Sequence, residues 1–141
     1  MDKEIQKKLT RNWFKILQNI ICKEIENLEN GHAKFISKNW NRHVSKDEGG
    51  GEYKILKNGK IFEKVGVNFS EVYGKFSKEM RKNIPGAKTN PNFWASGTSV
   101  VMHMKNPHVP TMHFNTRYIY TTFGWFGGGI DLTPCIHDTK E

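Results

Sequence analysis

Cysteine is scarce. The 141 residues hold only Cys22 and Cys135, with no Cys-x-x-Cys pair and only His137 close to either, which excludes a disulfide framework and a sequence-local zinc site. No apolar run approaches the length that crosses a bilayer, and the opening MDKEIQKKLTRNWF mixes charges of both signs without the apolar stretch of a secretory leader. A cytoplasmic protein with no membrane partner is expected. The glycine triplets lack the following Gly, Lys and Ser/Thr of a phosphate-binding loop, and no nucleic-acid-binding module is recognisable. Acidic residues are outnumbered, 14 against 22 Lys and Arg, for a net charge of +8. That charge suits nucleic acid, acidic lipid or a small polycarboxylate, but much of it lies in residues 3–23 and 75–88, away from the chemical motifs, where a solvated basic surface is the plain reading.

What is present is a globular chain. Hydrophobic residues make up 36% and charged residues 26%, with 9 Phe, 4 Trp and 4 Tyr, enough for one core at this length. Apolar residues recur over residues 5–28 (Ile5, Leu9, Trp13, Ile16, Leu17, Ile20, Ile21, Ile25, Leu28) near the 3.6 period of an amphipathic helix, and Gly31 is its expected stop. Residues 35–40 form a short apolar-spaced piece. The triplet Gly49-Gly50-Gly51 reads as a flexible turn. Residues 52–56 and 60–67 flank Asn58-Gly59, a pair that favours a type I′ hairpin. Residues 69–82 read as loop or short helix. Residues 96–104 and 111–122 are strands, paired antiparallel through a loop that holds Pro107 and Pro110, and Gly127-Gly128-Gly129 breaks the chain again.

Side chains alternate faces along a strand, so Ser99, Val101 and His103 share one face, and His113, Asn115 and Arg117 share another. If the loop brings these faces together, two imidazoles, a hydroxyl, an amide and a guanidinium meet on one patch. Arg grips a carboxylate through paired hydrogen bonds, His moves a proton near neutral pH, and Ser and Asn orient a ligand. The two histidines could instead contribute to a divalent metal site, with further ligands from elsewhere. Gly127-Gly128-Gly129 is either a plain tight turn or a backbone without Cβ atoms on which a large flat ligand lies, with Asp131 accepting hydrogen bonds from N–H donors at its edge. Trp94, Trp125 and Phe126 are core residues or cavity lining. Cys135 and His137 read as loop residues.

Five blocks in order carry a family pattern: Gly49-Gly50-Gly51; Gly66-Val67-Asn68-Phe69-Ser70; His103 through Asn106-Pro107-His108-Val109-Pro110-Thr111 to His113-Phe114-Asn115-Thr116-Arg117; Trp125-Phe126-Gly127-Gly128-Gly129; and Asp131-Leu132-Thr133-Pro134. Together they resemble the signature of the oxygen-dependent coproporphyrinogen III oxidases, matched over the N-terminal half. The resemblance implies oxidative decarboxylation of two propionates of coproporphyrinogen III to vinyl groups, giving protoporphyrinogen IX in haem biosynthesis. O₂ is then the co-substrate, and no organic cofactor is implied.

The same resemblance makes His113 the proton donor and, with His103, a ligand of a divalent metal in bacterial members. Ser99, Asn115, Thr116 and Arg117 match substrate-contacting positions, and Asp131 matches the aspartate set against pyrrole N–H groups. The implied fold is α+β, a large antiparallel sheet flanked by helices on both faces, here incomplete and usually a homodimer. Family members run to about twice this length, so residues 1–141 are expected to be the N-terminal portion of one domain, complemented by a C-terminal half in the same or a separate chain. Alone it is expected to have little or no oxidase activity. Two other readings are a non-catalytic tetrapyrrole-binding fragment and a basic single-stranded nucleic-acid binder.

Overall fold

A computed structural model describes residues 2–136. Helix α1 (Lys3–Glu29) is followed by six strands: β1 (Ile36–Asn41), β2 (Gly49–Lys57), β3 (Phe62–Lys75), β4 (Asn92–Met104), β5 (Thr111–Tyr120) and β6 (Gly124–Thr133). A short 3₁₀ turn, Met80–Lys82, lies between β3 and β4. The strands form one antiparallel meander in the order β1-β2-β3-β4-β5-β6. The fold is α+β, with α1 laid on one face of the sheet. No helix among the described residues is long and apolar enough to cross a membrane.

Helix α1 begins where Asp2 caps it, its carboxylate accepting from the N–H groups of Glu4 (2.8 Å) and Ile5 (3.2 Å), a contact worth about 1 kcal/mol. It ends one residue before the expected stop, with Asn30 taking the left-handed conformation at φ 50°. Its apolar period is real but serves two sides. Phe14, Gln18, Cys22, Ile25 and Glu29 are buried against the sheet, while Ile5, Leu9, Trp13, Ile16, Ile20 and Leu28 stay 46–59% exposed. At 100° per residue, positions 5, 9, 13, 16 and 20 make a second stripe opposite the first, so periodicity alone could not choose the buried one.

Phe14 packs with Phe69, Trp94 and Tyr118, and Cys22 and Ile25 pack with Leu56, Val65, Val67 and Val100. Trp94 is therefore core. Burial in this cluster pushes the Cys22 thiol up to about 12, which leaves it inert. Gln18 ties the helix to two strands, Nε2 donating to the carbonyls of Glu52 (2.9 Å) and Val67 (3.1 Å), while its Oε1 has no partner among the described residues. Thr98 Oγ1 donates to the Phe14 carbonyl at 2.8 Å.

Three turn expectations need correction. The hairpin exists, but its tip lies further on: pairing continues past Lys57 and Lys64, with Asn58 N–H donating to the Glu63 carbonyl (3.0 Å) and Gly59 N–H to the Phe62 carbonyl (2.9 Å), so Lys60 and Ile61 make the turn, and neither has the positive φ of type I′. The reason is tertiary: the Glu29 carboxylate reaches into the loop and accepts from the N–H groups of Lys60 (2.5 Å), Ile61 (3.0 Å) and Phe62 (2.8 Å). Neither glycine triplet breaks the chain, since β2 starts at Gly49 and β6 runs through Gly127, Gly128 and Gly129. Neighbouring backbone supplies the reason at Gly50 and Gly128, where a Cβ would press on Trp40 and Asn115 main-chain atoms, so close strand approach selects glycine there. Finally, β3 continues to Lys75, through half of the stretch 69–82 that reads as loop or short helix, and a 3₁₀ turn at Met80–Lys82 follows.

Candidate functional site

Because α1 covers one face, the odd-numbered residues of β3 and the even-numbered residues of β4 form the core, and their neighbours form the opposite, open face. Pairing register then aligns the open-face residues in cross-strand rows. Gly66, Val101, His113 and Asp131 make one row; Asn68, Ser99, Asn115 and Gly129 the next; Ser70, Gly97, Arg117 and Gly127 the third. Directly opposed residues in an antiparallel pair lie on the same face, with Cβ atoms about 5 Å apart. The sheet thus gathers Ser99, His113, Asn115, Arg117 and Asp131 on one surface.

His103 lies one row further out, opposite Lys64, with Nδ1 3.4 Å from Thr111 Oγ1. Thr116 is different. It pairs with Thr98, whose side chain is buried beneath α1, so alternation turns the Thr116 side chain away from Asn115 and Arg117. Trp125 stays at the margin against Phe123 (ring centroids 5.5 Å), whereas Phe126 packs on the α1 side against Tyr118 (4.8 Å) and Phe14 (6.4 Å). Cys135 follows β6, exposed, its Sγ 3.4 Å from Thr111 Oγ1. His137 lies outside the described residues.

The open face has a shallow depression of about 280 Å³ lined by Ser70, Gly97, Ser99, His113, Asn115 and Arg117, together with Thr98 and Thr116. Among the described residues, the side chains of Ser99, Asn115 and Arg117 have no hydrogen-bond or ion-pair partner. Polar groups left free in this way, Ser99 and Asn115 half-buried and Arg117 exposed, are available to a ligand. His113 Nδ1 stands 3.7 Å from Asp131 Oδ2, too far for a good hydrogen bond but close enough for an ion pair when the imidazole is protonated.

The floor is unusual for a sheet. At Gly66 a Cβ would meet nothing within 4 Å; at Gly127 and Gly129 it would meet only the ends of Arg117 (3.9 Å) and Asn115 (4.0 Å). None of the three has positive φ. Their own fold does not require glycine, and strand glycine weakens a sheet. Room is kept above the backbone.

A larger depression, about 780 Å³, lies beside α1 and the β1–β2 connection. Several of its charges are already engaged: Arg11 Nε donates to Glu71 at 2.5 Å, and Asp47 accepts from Tyr73 Oη. The smaller open-face depression is the better candidate. No group of three or more His, Cys, Asp or Glu gathers among the described residues, so a metal at His103 and His113 would need further ligands from outside them. His103 and His113 alone fall short of a stable site.

Sequence reasoning missed Gly66, Asn68 and Ser70, and the signal was within reach. The same period-two rule applied to Gly66-Val67-Asn68-Phe69-Ser70 puts those three on one face.

Fold and site together define an α+β protein with a polar, side-chain-poor sheet face open to a ligand. The family model described as coproporphyrinogen III oxidase matches residues 9–141. The "Oxygen-dependent coproporphyrinogen-III oxidase" of Rickettsia akari (strain Hartford) is 47% identical over 143 residues, covering 96% of this chain and 50% of that protein. The proteins of the same name from Rickettsia felis and Rickettsia bellii are 48% and 47% identical over the same shares. The chain belongs to the coproporphyrinogen III oxidase family. It spans about half the length of the curated relatives it matches.

Proposed function

We propose that the open face binds coproporphyrinogen III and takes part in its oxidative decarboxylation to protoporphyrinogen IX, with O₂ as oxidant. The observation that carries this reading is the set of unpartnered polar side chains, Ser99, Asn115 and Arg117, beside a floor without Cβ atoms at Gly66, Gly127 and Gly129. A macrocycle laid against the sheet needs such a floor, and its propionates need such a rim.

Roles follow from the chemistry of each group. Arg117 binds a propionate through two parallel hydrogen bonds, and Ser99 and Asn115 donate to the same carboxylate or its neighbour. Asp131 accepts from pyrrole N–H groups and favours positive charge as the electron-rich ring gives up electrons. His113, next to Asp131, transfers protons. Each propionate carboxylate loses CO₂, one proton and two electrons to become a vinyl group. The four electrons from two propionates, with four protons, reduce one O₂ to two waters.

The test is a titration of the chain with coproporphyrin III, the stable oxidised analogue, followed by fluorescence. The unaltered chain is expected to bind, and Arg117→Ala to weaken binding about tenfold or more at constant fold, as expected for loss of a charge-assisted pair. Equal affinity in both proteins would overturn the reading.

A further inference from the structure

We infer that Asn68, oriented by Trp40, determines how many carboxylates the open face demands of its ligand; this rests on the porphyrinogen-binding reading above. The block Gly49-Gly50-Gly51, and Asn68 within the block Gly66-Val67-Asn68-Phe69-Ser70, have no part in the chemistry described so far. The geometry gives them one.

Trp40 on β1 pairs with Gly51 on β2. A Cβ at Gly51 would press first on the Phe69 carbonyl oxygen and then on Trp40 Cζ2 (2.9 Å), so the glycine that close strand approach requires also lets the indole lie across β2. It reaches β3, where Nε1 donates to Asn68 Oδ1 at 2.9 Å. An indole N–H can only donate, so the oxygen of the amide must face it. The Asn68 Nδ2 is left as the free end, with two N–H donors and no partner among the described residues.

Asn68 sits directly opposite Ser99, which sits opposite Asn115, which sits opposite Gly129. Strands lie about 4.8 Å apart, so the row from β3 to β6 spans about 14 Å. A macrocycle held by Asp131 on β6 and lying over the bare backbone extends across β4, and the carboxylates on its far side come down at β3. There Asn68 meets one with a fixed donor. Asparagine is a poor strand residue, and this one stands between the buried Val67 and Phe69. Indole, glycine and amide together form a support whose only unused atoms are donors.

The experiment compares two probes on the full chain: coproporphyrin III, with four carboxylates, and mesoporphyrin, with two. Asn68→Ala is expected to weaken coproporphyrin binding about tenfold, to change mesoporphyrin binding much less, and to leave the thermal midpoint in place. Trp40→Phe reproduces part of that loss, since the amide is then free to turn. Asn68→Asp weakens coproporphyrin further than the alanine variant, because it sets like charges together. If Arg117→Ala weakens binding while Asn68→Ala leaves the ratio of the two affinities unchanged, Asn68 has no such role and the binding face stands without it. Equal loss for both probes with a lowered midpoint makes Asn68 a structural residue and overturns the inference. If the unaltered chain binds neither probe, or Arg117→Ala has no effect, the face reading falls and Asn68 falls with it.

Discussion

Along β3, Val65, Val67 and Phe69 turn toward α1 and are 0–4% exposed, whereas Gly66, Asn68 and Ser70, interleaved with them, turn to the open face. The same split runs through β4, where Thr98 and Val100 are buried and Ser99 and His103 are not. On one face the buried polar side chains are tied to the backbone, Thr98 and Gln18 bonding it and Glu29 holding a turn, with Gln18 Oε1 alone left over among the described residues. On the other, polar groups are left without protein partners and glycines stand where nothing in the fold excludes a side chain. Residues one position apart therefore answer to different demands, packing energy on one side and room for a ligand on the other. Substitutions on the two faces should separate stability from binding.

The largest effect on stability is expected at Phe14, wholly buried between α1 and the β3–β5 sheet. Phe14→Ala should cost about 3–5 kcal/mol in urea unfolding, while coproporphyrin affinity per folded molecule holds. A loss of affinity in the folded fraction would mean that the two faces are coupled.

Next comes Glu29. Burial acts to raise its pKa, but the N–H groups of Phe62, Lys60 and Ile61 together outweigh burial, and His32 adds to them, so the carboxyl sits below its ordinary value of 4.5. A depressed folded pKa contributes stability that is complete above the unfolded value and lost as pH falls through the folded one. The unaltered chain should therefore lose stability below about pH 5. Glu29→Gln should be weaker at neutral pH by about 1–3 kcal/mol and flatter toward acid, read from unfolding curves at several pH values. Parallel curves for the two proteins would show that the turn does not depend on the charge.

Much of this comparison was legible in the sequence. Period-two alternation set Ser99 with His103 on one strand and His113 with Asn115 and Arg117 on the next because strands obey it strictly, but whether the two sets meet depends on pairing register, which the structure supplies. The rest failed where one local signal served two structures. Helical period could not tell Phe14 and Cys22 from Leu9 and Ile16, since both stripes satisfy it. Glycine triplets signal turns, yet within β2 and β6 they mark close backbone and open floor, which depend on neighbouring strands. The hairpin at Asn58 was local, but its turn type was set by Glu29, far away in sequence. Thr116 entered the candidate list as part of the run Asn115 to Arg117, and alternation alone would have removed its side chain.

The smallest effect on stability and the sharpest division between faces should come from Gly66→Val. Valine suits an extended strand better than glycine, φ at this position is not positive, and its Cβ meets nothing within 4 Å, so the fold should be unchanged or gain up to about 1 kcal/mol. The new isopropyl group would stand beside the one that Val101 already raises in the row of His113 and Asp131, and would close the gap left at β3. A flat ligand on that floor must then lift away from Asp131 or tilt off Arg117, and coproporphyrin affinity should drop about tenfold or more, since one displaced hydrogen-bonded charge is worth that much. Gly66→Ala should lie between. Thermal unfolding and porphyrin titration of the same two variants decide the matter: unchanged affinity in Gly66→Val would mean that the ligand does not lie on β3 and that the space above Gly66 serves something else.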